Sequence, residues 1–521
     1  MPPQHVAILG GGLTGLSSAF HLARRFPKAR ISLLEKQNRL GGWVRSERVD
    51  VTVPSAEGAP QSAHVRLEGG PRTLRPNGLA VLELVNLLKL TPSLLTVPRT
   101  APAARNRYLH IPGSRPGLLR IPTSLPSLLV SPLARTLLPG VLRDALSPAN
   151  RPPPTHDTHA TDADGDESVD AFLTRRFGAA FARTFGSALV HGIYAADART
   201  LSVRAAFPLL VELEAKGWGS VARGMLASAF ARKPASADES GYELGEVEGL
   251  MRGVSVYSFR EGMGELVDAL ERNLLGRPNV EILRGDGATS LRRADSGHRF
   301  EVQTASGATL TPTHIVSALP LPTLDTLVHS SSSALPPLPH LTAEPTSTVT
   351  VVNLLFPGPP TALHPPGFGY LIPRPSSYAD SERENPLGVL GTVFDSCALP
   401  TQDAGAPVTK LTMMLGGPYY AARPALVSSI TDPEFMRRLL DTLAHHLGTP
   451  RACIPEPLLV RVRTHADCIP TPTPGHETRV TQLREAAKER WGEEAEVIGA
   501  GVGGVSVPAC VEAGRLVGRN W

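Results

Sequence analysis

The sequence predicts an α/β protein. A Rossmann-like dinucleotide-binding domain runs discontinuously along it, interrupted by a mixed-sheet domain and an α-helical one. Three observations carry this. Residues 6–35 read as strand, glycine turn, helix and second strand. Residues 496–507 give another strand and glycine-rich turn at the far end. The chain has 521 residues, well past the ~250–300 at which single cores stop growing. The residues between the two ends must therefore build further domains.

The opening unit is the most informative. Val6-Ala7-Ile8-Leu9 is a short apolar run suited to a buried parallel strand. It leads into Gly10-Gly11-Gly12-Leu13-Thr14-Gly15, where Gly10, Gly12 and Gly15 fit GxGxxG. Gly10 permits the tight turn, Gly12 lets the backbone approach a pyrophosphate, and Gly15 lets the helix pack on the strand. The helix start offers free N–H groups to phosphates. A second strand over 29–34 ends at Glu35, which is placed to accept hydrogen bonds from a ribose. Lys36 follows it.

Two further glycine segments come next: Arg39-Leu40-Gly41-Gly42-Trp43-Val44-Arg45, and Leu67 to Pro76 with Gly69-Gly70-Pro71-Arg72-Thr73 at its centre. At the other end, residues 496–500 read as a strand. A turn over 501–508 and a helix beginning near Val511 follow. The fold must then bring residues near 10 and near 505 together.

The middle is less regular. Residues 98–166 are rich in Pro, Ser, Arg and Leu. Within them 115–143 hold four arginines and no acid, and their prolines are expected to break the segment into short helices or turns. This stretch suits either a basic, apolar membrane-facing surface or short helices packed in a core. Residues 150–166 read as a disordered loop, with His156 and His159 solvated. Residues 168–190 have helical spacing interrupted at Gly178, and 209–230 are helical again. Residues 233–249 read as a surface insertion, and 254–259 as a strand. Short strands over 280–283, 298–304 and 314–318 rejoin the dinucleotide domain. Strands over 349–356 and 410–415 anchor a mixed sheet between 320 and 474. Glu68 and Asp395 could be catalytic carboxylates, but isolated acids are more often solvated or structural.

Composition narrows the function classes. With 52 basic and 48 acidic residues the net charge is +4, which gives no nucleic-acid footprint. The 48 Gly and 50 Pro imply many turns, but 41% hydrophobic residues exclude wholesale disorder. Cys397, Cys453, Cys468 and Cys510 form no CxxC pair, which argues against a disulfide scaffold or zinc cluster. They are expected to be reduced and mostly buried. No 18-residue apolar run predicts a transmembrane helix. Only residues 1–5 precede the first strand, so any organelle address is expected to be internal. No metal site is expected.

The residues 39–45 and 67–76 resemble the second signature and the flavin-side segment of the FAD-containing amine-oxidase-like flavoproteins. Within that superfamily the chain resembles the oxygen-dependent protoporphyrinogen oxidases of the mitochondrial type. The strings that carry this are Arg39-Leu40-Gly41-Gly42-Trp43, Gly70-Pro71-Arg72, Asn106-Arg107-Tyr108-Leu109, Leu201-Ser202-Val203-Arg204, Gly367-Phe368-Gly369-Tyr370-Leu371, Met414-Leu415-Gly416-Gly417 and Gly504-Val505-Ser506-Val507. The long Pro-rich insertions, Val502 and Gly503 depart from the family pattern.

The resemblance implies non-covalent FAD, held by residues 10–15, Glu35, Lys36, Gly42, Trp43, Gly70, Pro71, Arg72, Thr73, Ala288, Ala500, Val505, Ser506 and Val507. It implies oxidation of protoporphyrinogen IX to protoporphyrin IX, with three molecules of O2 reduced to peroxide and no catalytic side chain beyond the flavin's hydride chemistry. Arg107 would pair with a propionate. Phe368, Leu371 and Val393 would sandwich a pyrrole ring, and the Gly369 carbonyl would take pyrrole N–H groups. Arg72 would stand near flavin and cavity, and Met414 would line the cavity or pack in the core.

The implied domains are FAD-binding at 1–98, 251–320 and 485–521, a membrane-associating and substrate-access helical domain at 99–250, and a substrate domain at 321–484. A peripheral place on the mitochondrial inner membrane, a homodimer and hand-over to ferrochelatase are implied too. An amine or carotenoid oxidase, or a non-catalytic binding protein on the same fold, are the alternatives. An amine oxidase would want an aromatic cage, whereas Phe368 has no evident partner and aromatics are 5% of the chain.

Overall fold

The computed structural model describes residues 2–54, 59–113, 116–123, 127–128, 130–147, 165–230, 241–294, 299–329 and 337–521. Its organising element is a five-stranded sheet in the spatial order Ala495–Val497, His314–Ser317, His5–Leu9, Arg30–Glu35, Val280–Arg284. Every pair in it is parallel. Both faces are covered, which is why Val6 to Leu9 is an unbroken apolar run with no exposure. Three distant parts of the chain supply these strands, as the sequence requires.

The helix Leu13–Arg25 follows the first strand, and the last helix, Val507–Leu516, lies across it. A Cβ on Gly514 would stand 2.6 Å from the Thr14 carbonyl oxygen, so the two backbones nearly touch. Ser17 Oγ also donates to the Val511 carbonyl at 2.7 Å. The last helix begins at Val507, not near Val511 as its apolar run suggests. Ser506 caps it by accepting from the Ala509 N–H, and Pro508 sits in the first turn, where a missing N–H costs nothing.

A second sheet has seven strands, ordered Leu459–Pro470, Thr346–Pro357, Val408–Gly416, Val389–Val393, Gly369–Leu371, Tyr108–Leu109, Leu119–Arg120. The pairing of Tyr108–Leu109 with Gly369–Leu371 is parallel, and the others are antiparallel. The helix Phe435–Leu447 closes one face, packing Leu439 and Leu443 on Val352, Leu354 and Met413. The opposite face looks toward the parallel sheet.

Helices between 134 and 230 form a third body, centred on Phe172, Leu173, Val190 and Leu213. Gly178 does interrupt the predicted helix, with φ at 90°, between Val169–Phe177 and Ala179–Phe181. Pro139 departs from expectation, for it sits inside the helix Ala134–Leu146 instead of breaking it. Pro139 and Arg135 are both exposed, so the Arg135 carbonyl that loses its donor is open to water. His156 and His159 lie outside the described residues. Asp166, expected at the end of a disordered loop, is instead buried. It accepts from Ser202 Oγ at 2.7 Å and from the Gly475 N–H at 3.1 Å, tying this body to the chain leading into the helix His476–Trp491. The four cysteines are free, as predicted, but Cys453 is exposed and the rest are half-buried.

Candidate active site

The glycine turn is shaped for a dinucleotide. Gly12 caps the first helix with no side-chain cap, and no acid stands in the first turn. The leading N–H groups therefore keep their capacity for a phosphate. A Cβ on Gly15 would lie 1.9 Å from the Gly10 carbonyl oxygen, so only glycine fits. At Gly12 the nearest atom would be 4.0 Å away, leaving an open cradle. Glu35 Oε2 accepts from the Gly11 N–H and Oε1 from the Gln37 N–H, both at 2.8 Å. The carboxylate is thus fixed at the turn's edge, with lone pairs left for a ribose. A Cβ on Gly287 would come 2.7 Å from Lys36 Cβ. Ala288 accordingly stands beside Glu35 and Lys36, at the adenosine end of the cradle, while its methyl packs on the neighbouring core.

The other glycine segments converge on this turn. The Gly41 N–H donates to the Gly11 carbonyl at 2.9 Å, and Gly12 and Gly41 form a backbone bridge. Arg39 donates to the carbonyls of Leu40, Gly42 and Val44, so it braces its own loop. The Gly69 N–H donates to the Arg45 carbonyl at 2.8 Å, and a Cβ on Gly70 would meet the Trp43 carbonyl oxygen at 2.4 Å. At the other end, a Cβ on Gly499 would be 3.9 Å from Thr14 Oγ1. Residues 10–15 and the segment carrying Ala500, Val505, Ser506 and Val507 are thereby brought together. An uncapped helix start, a cradle without side chains and an acid at the end of the second strand all fit FAD. Residues 10–15, Glu35, Lys36, Gly42 and 505–507 would hold it.

Four of the residues expected to bind substrate, Gly369, Leu371, Val393 and Met414, share one face of the seven-stranded sheet. Leu371 is opposite Gly391, Gly391 opposite Met414, and Met414 opposite Val351. Gly369 is opposite Val393, Val393 opposite Thr412, and Thr412 opposite Asn353. Cross-strand partners point the same way, and residues two apart do too. This face therefore carries Leu371, Val393, Met414 and the bare Gly369, while Tyr370 and Met413 point into the opposite core. Asn353 Nδ2 reaches across to the Glu68 carbonyl at 3.1 Å, which orients the face toward the glycine segments. Leu371 touches the helix Ser187–Tyr194, where a Cβ on Gly192 would meet it at 2.7 Å. Phe368 packs on Val97, Ala103 and Val256. Among the described residues no aromatic ring packs on it, and the Arg107 guanidinium lies over its ring at 6.0 Å. Burial, and after it the charge of Arg75, lowers the pKa of Arg107.

Two acids prove to be neither solvated nor isolated. Asp395 Oδ1 accepts from Arg72 at 3.1 Å, with both side chains 8% exposed. Its Oδ2 accepts from Thr412 Oγ1 at 2.6 Å, and Thr412 Oγ1 in turn accepts from Asn353 Nδ2 at 2.8 Å. Arg72 is thereby held between the flavin-side loop and the substrate face. Glu68 is buried and accepts from the Met263 N–H and Ser46 Oγ, both at 2.8 Å. Burial pushes its carboxyl up to about 7 in spite of those donors. Sequence reasoning misses Thr412, Asn353 and His465, the last of which meets the Gly69 carbonyl through Nε2 at 2.6 Å. All three stand on strands of ordinary composition. Their only signal is cross-strand register, which needs the fold. A separate crevice of about 270 Å³ lies behind the C-terminal turn, between Tyr194, Val480, Val502 and Val505.

A family model described as flavin containing amine oxidoreductase matches residues 13–517. Protoporphyrinogen oxidase from Schizosaccharomyces pombe is 30% identical over 99% of this chain and 98% of its own. The protein of that name from Homo sapiens is 33% identical over 98% of this chain and 96% of its own. A crystal structure from Exiguobacterium sp. 255-15, provisionally named a protoporphyrinogen oxidase, aligns with a TM-score of 0.70. It does so at 22% identity, over 98% of this chain and 97% of its own, and bears on the fold alone.

Proposed function

The chain belongs to the flavin containing amine oxidoreductases and, among them, to the protoporphyrinogen oxidases, and from that premise we propose that it oxidises protoporphyrinogen IX to protoporphyrin IX, with O2 as final acceptor and H2O2 as by-product. Its cofactor is FAD. The observation that best supports the substrate is Arg107 poised over Phe368, beside the apolar face of Leu371, Val393 and Met414. A puckered apolar macrocycle with an acidic edge needs that combination.

Bound FAD supplies two-electron acceptor chemistry, used three times for each six-electron oxidation. The protein's part is to position and to shield. Phe368, Leu371, Val393 and Met414 hold a pyrrole ring and exclude water. Gly369 lets the ring approach the backbone and offers its carbonyl to pyrrole N–H groups. Arg107 takes a propionate, and Arg72, braced by Asp395, stands where the flavin meets the cavity.

Peripheral attachment to the mitochondrial inner membrane belongs to the same reading, as do a homodimer and hand-over of product to ferrochelatase. The exposed apolar side chains support attachment. Of fifteen large ones among the described residues, ten fall between Val130 and Leu226, with Leu146 80% and Trp218 79% exposed. The surface is thus wider than residues 115–143. No helix among the described residues is long and apolar enough to cross a membrane.

Aerobic incubation of the purified protein with protoporphyrinogen IX tests the reading. Red porphyrin fluorescence should grow well above the autoxidation rate, with three H2O2 for each porphyrin. A rate equal to the protein-free control would refute it.

A further inference from the structure

We infer that Arg75 and Arg107 form a two-point cradle for a dianion, each taking one of two neighbouring carboxylates of the substrate. This rests on the porphyrinogen reading and adds Arg75 to it.

The geometry begins at Leu74. Its N–H donates to the Tyr257 carbonyl and its carbonyl accepts from the Tyr257 N–H, both at 2.8 Å. Residues 73–75 are thus laid antiparallel against the strand Val254–Phe259, and Arg75 stands level with Val256. On the far side of that strand, Val256 pairs with Val97. Val97 and Val256 are the floor on which Phe368 packs, and Phe368 is the ring beneath Arg107. One small sheet therefore carries Arg75 to the wall that bears Arg107. Pro76 follows at once and stops the ladder from continuing.

The electrostatics point the same way. Arg107 and Arg75 are both exposed. The one charge that bears on Arg107 is that of Arg75, and no carboxylate offsets it. Neither guanidinium has an ion-pair partner among the described residues. Two neighbouring cations without an acid repel each other and concentrate positive potential beside the Phe368 ring. A ligand with two adjacent carboxylates relieves both. Protoporphyrinogen IX has this form, with propionates on neighbouring rings. Arg72, on the same loop, does not compete, because Asp395 holds it. Arg75 would then favour the dianion and fix which edge of the macrocycle faces outward.

The test compares wild type, Arg75→Gln and Arg75→Lys as FAD-loaded enzymes. KM and kcat are measured by porphyrin fluorescence, and equilibrium binding of protoporphyrin IX and its dimethyl ester by titration. A partly exposed, charge-assisted contact predicts about a fivefold rise in KM for Arg75→Gln. Its kcat should stay within twofold, the diacid Kd should weaken in parallel, and the diester Kd should not change. Arg75→Lys should recover most of the loss. An unchanged KM and diacid Kd in Arg75→Gln, or equal weakening toward diacid and diester, would overturn the cradle while leaving the oxidase reading intact. A wild type that yields no porphyrin overturns the oxidase reading itself, and the cradle with it.

Discussion

Asp395→Ala removes the buried partner of Arg72 and the acceptor of Thr412 together. The Arg72–Asp395 pair is 3.1 Å long with both side chains 8% exposed, so solvent screens it little. Deleting one member of such a pair strands the other charge and costs about 3–5 kcal/mol. Thr412→Val loses the 2.6 Å hydrogen bond to Asp395 and the 2.8 Å bond accepted from Asn353 Nδ2 but leaves the ion pair, a loss of about 2 kcal/mol. Unfolding entropy of about 2 cal/mol/K per residue, over 521 residues, comes to about 1.1 kcal/mol per degree. Asp395→Ala should therefore melt about 3–5 °C below wild type, and Thr412→Val about 2 °C below. Scanning fluorimetry on the three proteins in one buffer reads this directly. If Asp395→Ala melts no lower than Thr412→Val, the ion pair contributes no more than the hydrogen bonds of Thr412, and the argument that it braces Arg72 fails.

Three other substitutions follow from the geometry. Gly15→Ala places a Cβ 1.9 Å from the Gly10 carbonyl oxygen, so the protein should purify without its yellow colour; stoichiometric flavin in that variant would be contrary. Gly369→Ala sets a side chain at φ +144° with its Cβ 2.1 Å from the Thr392 carbonyl oxygen, and kcat/KM should fall at least tenfold, about 1.4 kcal/mol or more; near-normal turnover would show that the strand edge is not a ligand wall. Burial raises the Glu68 carboxyl from 4.5 to about 7, so the folded state holds that proton more tightly than the unfolded chain. The resulting stability is full below pH 4.5 and is lost as pH rises through 7. Glu68→Gln should thus gain on wild type by up to about 3 kcal/mol between pH 5 and 8, and a urea-midpoint difference that stays constant across this range would contradict it.

The parts of this fold legible in the sequence are those written in contiguous residues. Val6 to Glu35 announces its strand, turn, helix and acid because the phosphate-binding geometry demands glycine at fixed short spacings. The pairing of that unit with residues near 505 was legible as a requirement of the fold. The start of the last helix was not, because Ser506 and Pro508 set it more strongly than the apolar run from Val511. Arg107, Phe368, Gly369, Leu371, Val393 and Met414 were nameable from resemblance. The meeting of Gly369, Leu371, Val393 and Met414 on one sheet face depends on cross-strand register between distant segments. Asp395 looked isolated because its partner, Arg72, is 323 residues away in sequence. Pro139 was misread since helix-breaking depends on whether water can reach the freed carbonyl, which composition does not reveal.

The central claim is that this chain takes electrons from a porphyrinogen through its flavin. Anaerobic rapid mixing of the FAD-loaded protein with protoporphyrinogen IX tests it most directly, by following the blue flavin absorbance. The account predicts bleaching within the turnover time. When air is admitted, the band should return and porphyrin fluorescence should appear. A yellow protein whose flavin stays oxidised through the anaerobic phase, yet bleaches with an amine or a carotenoid precursor, would contradict the substrate while leaving the flavoprotein fold in place.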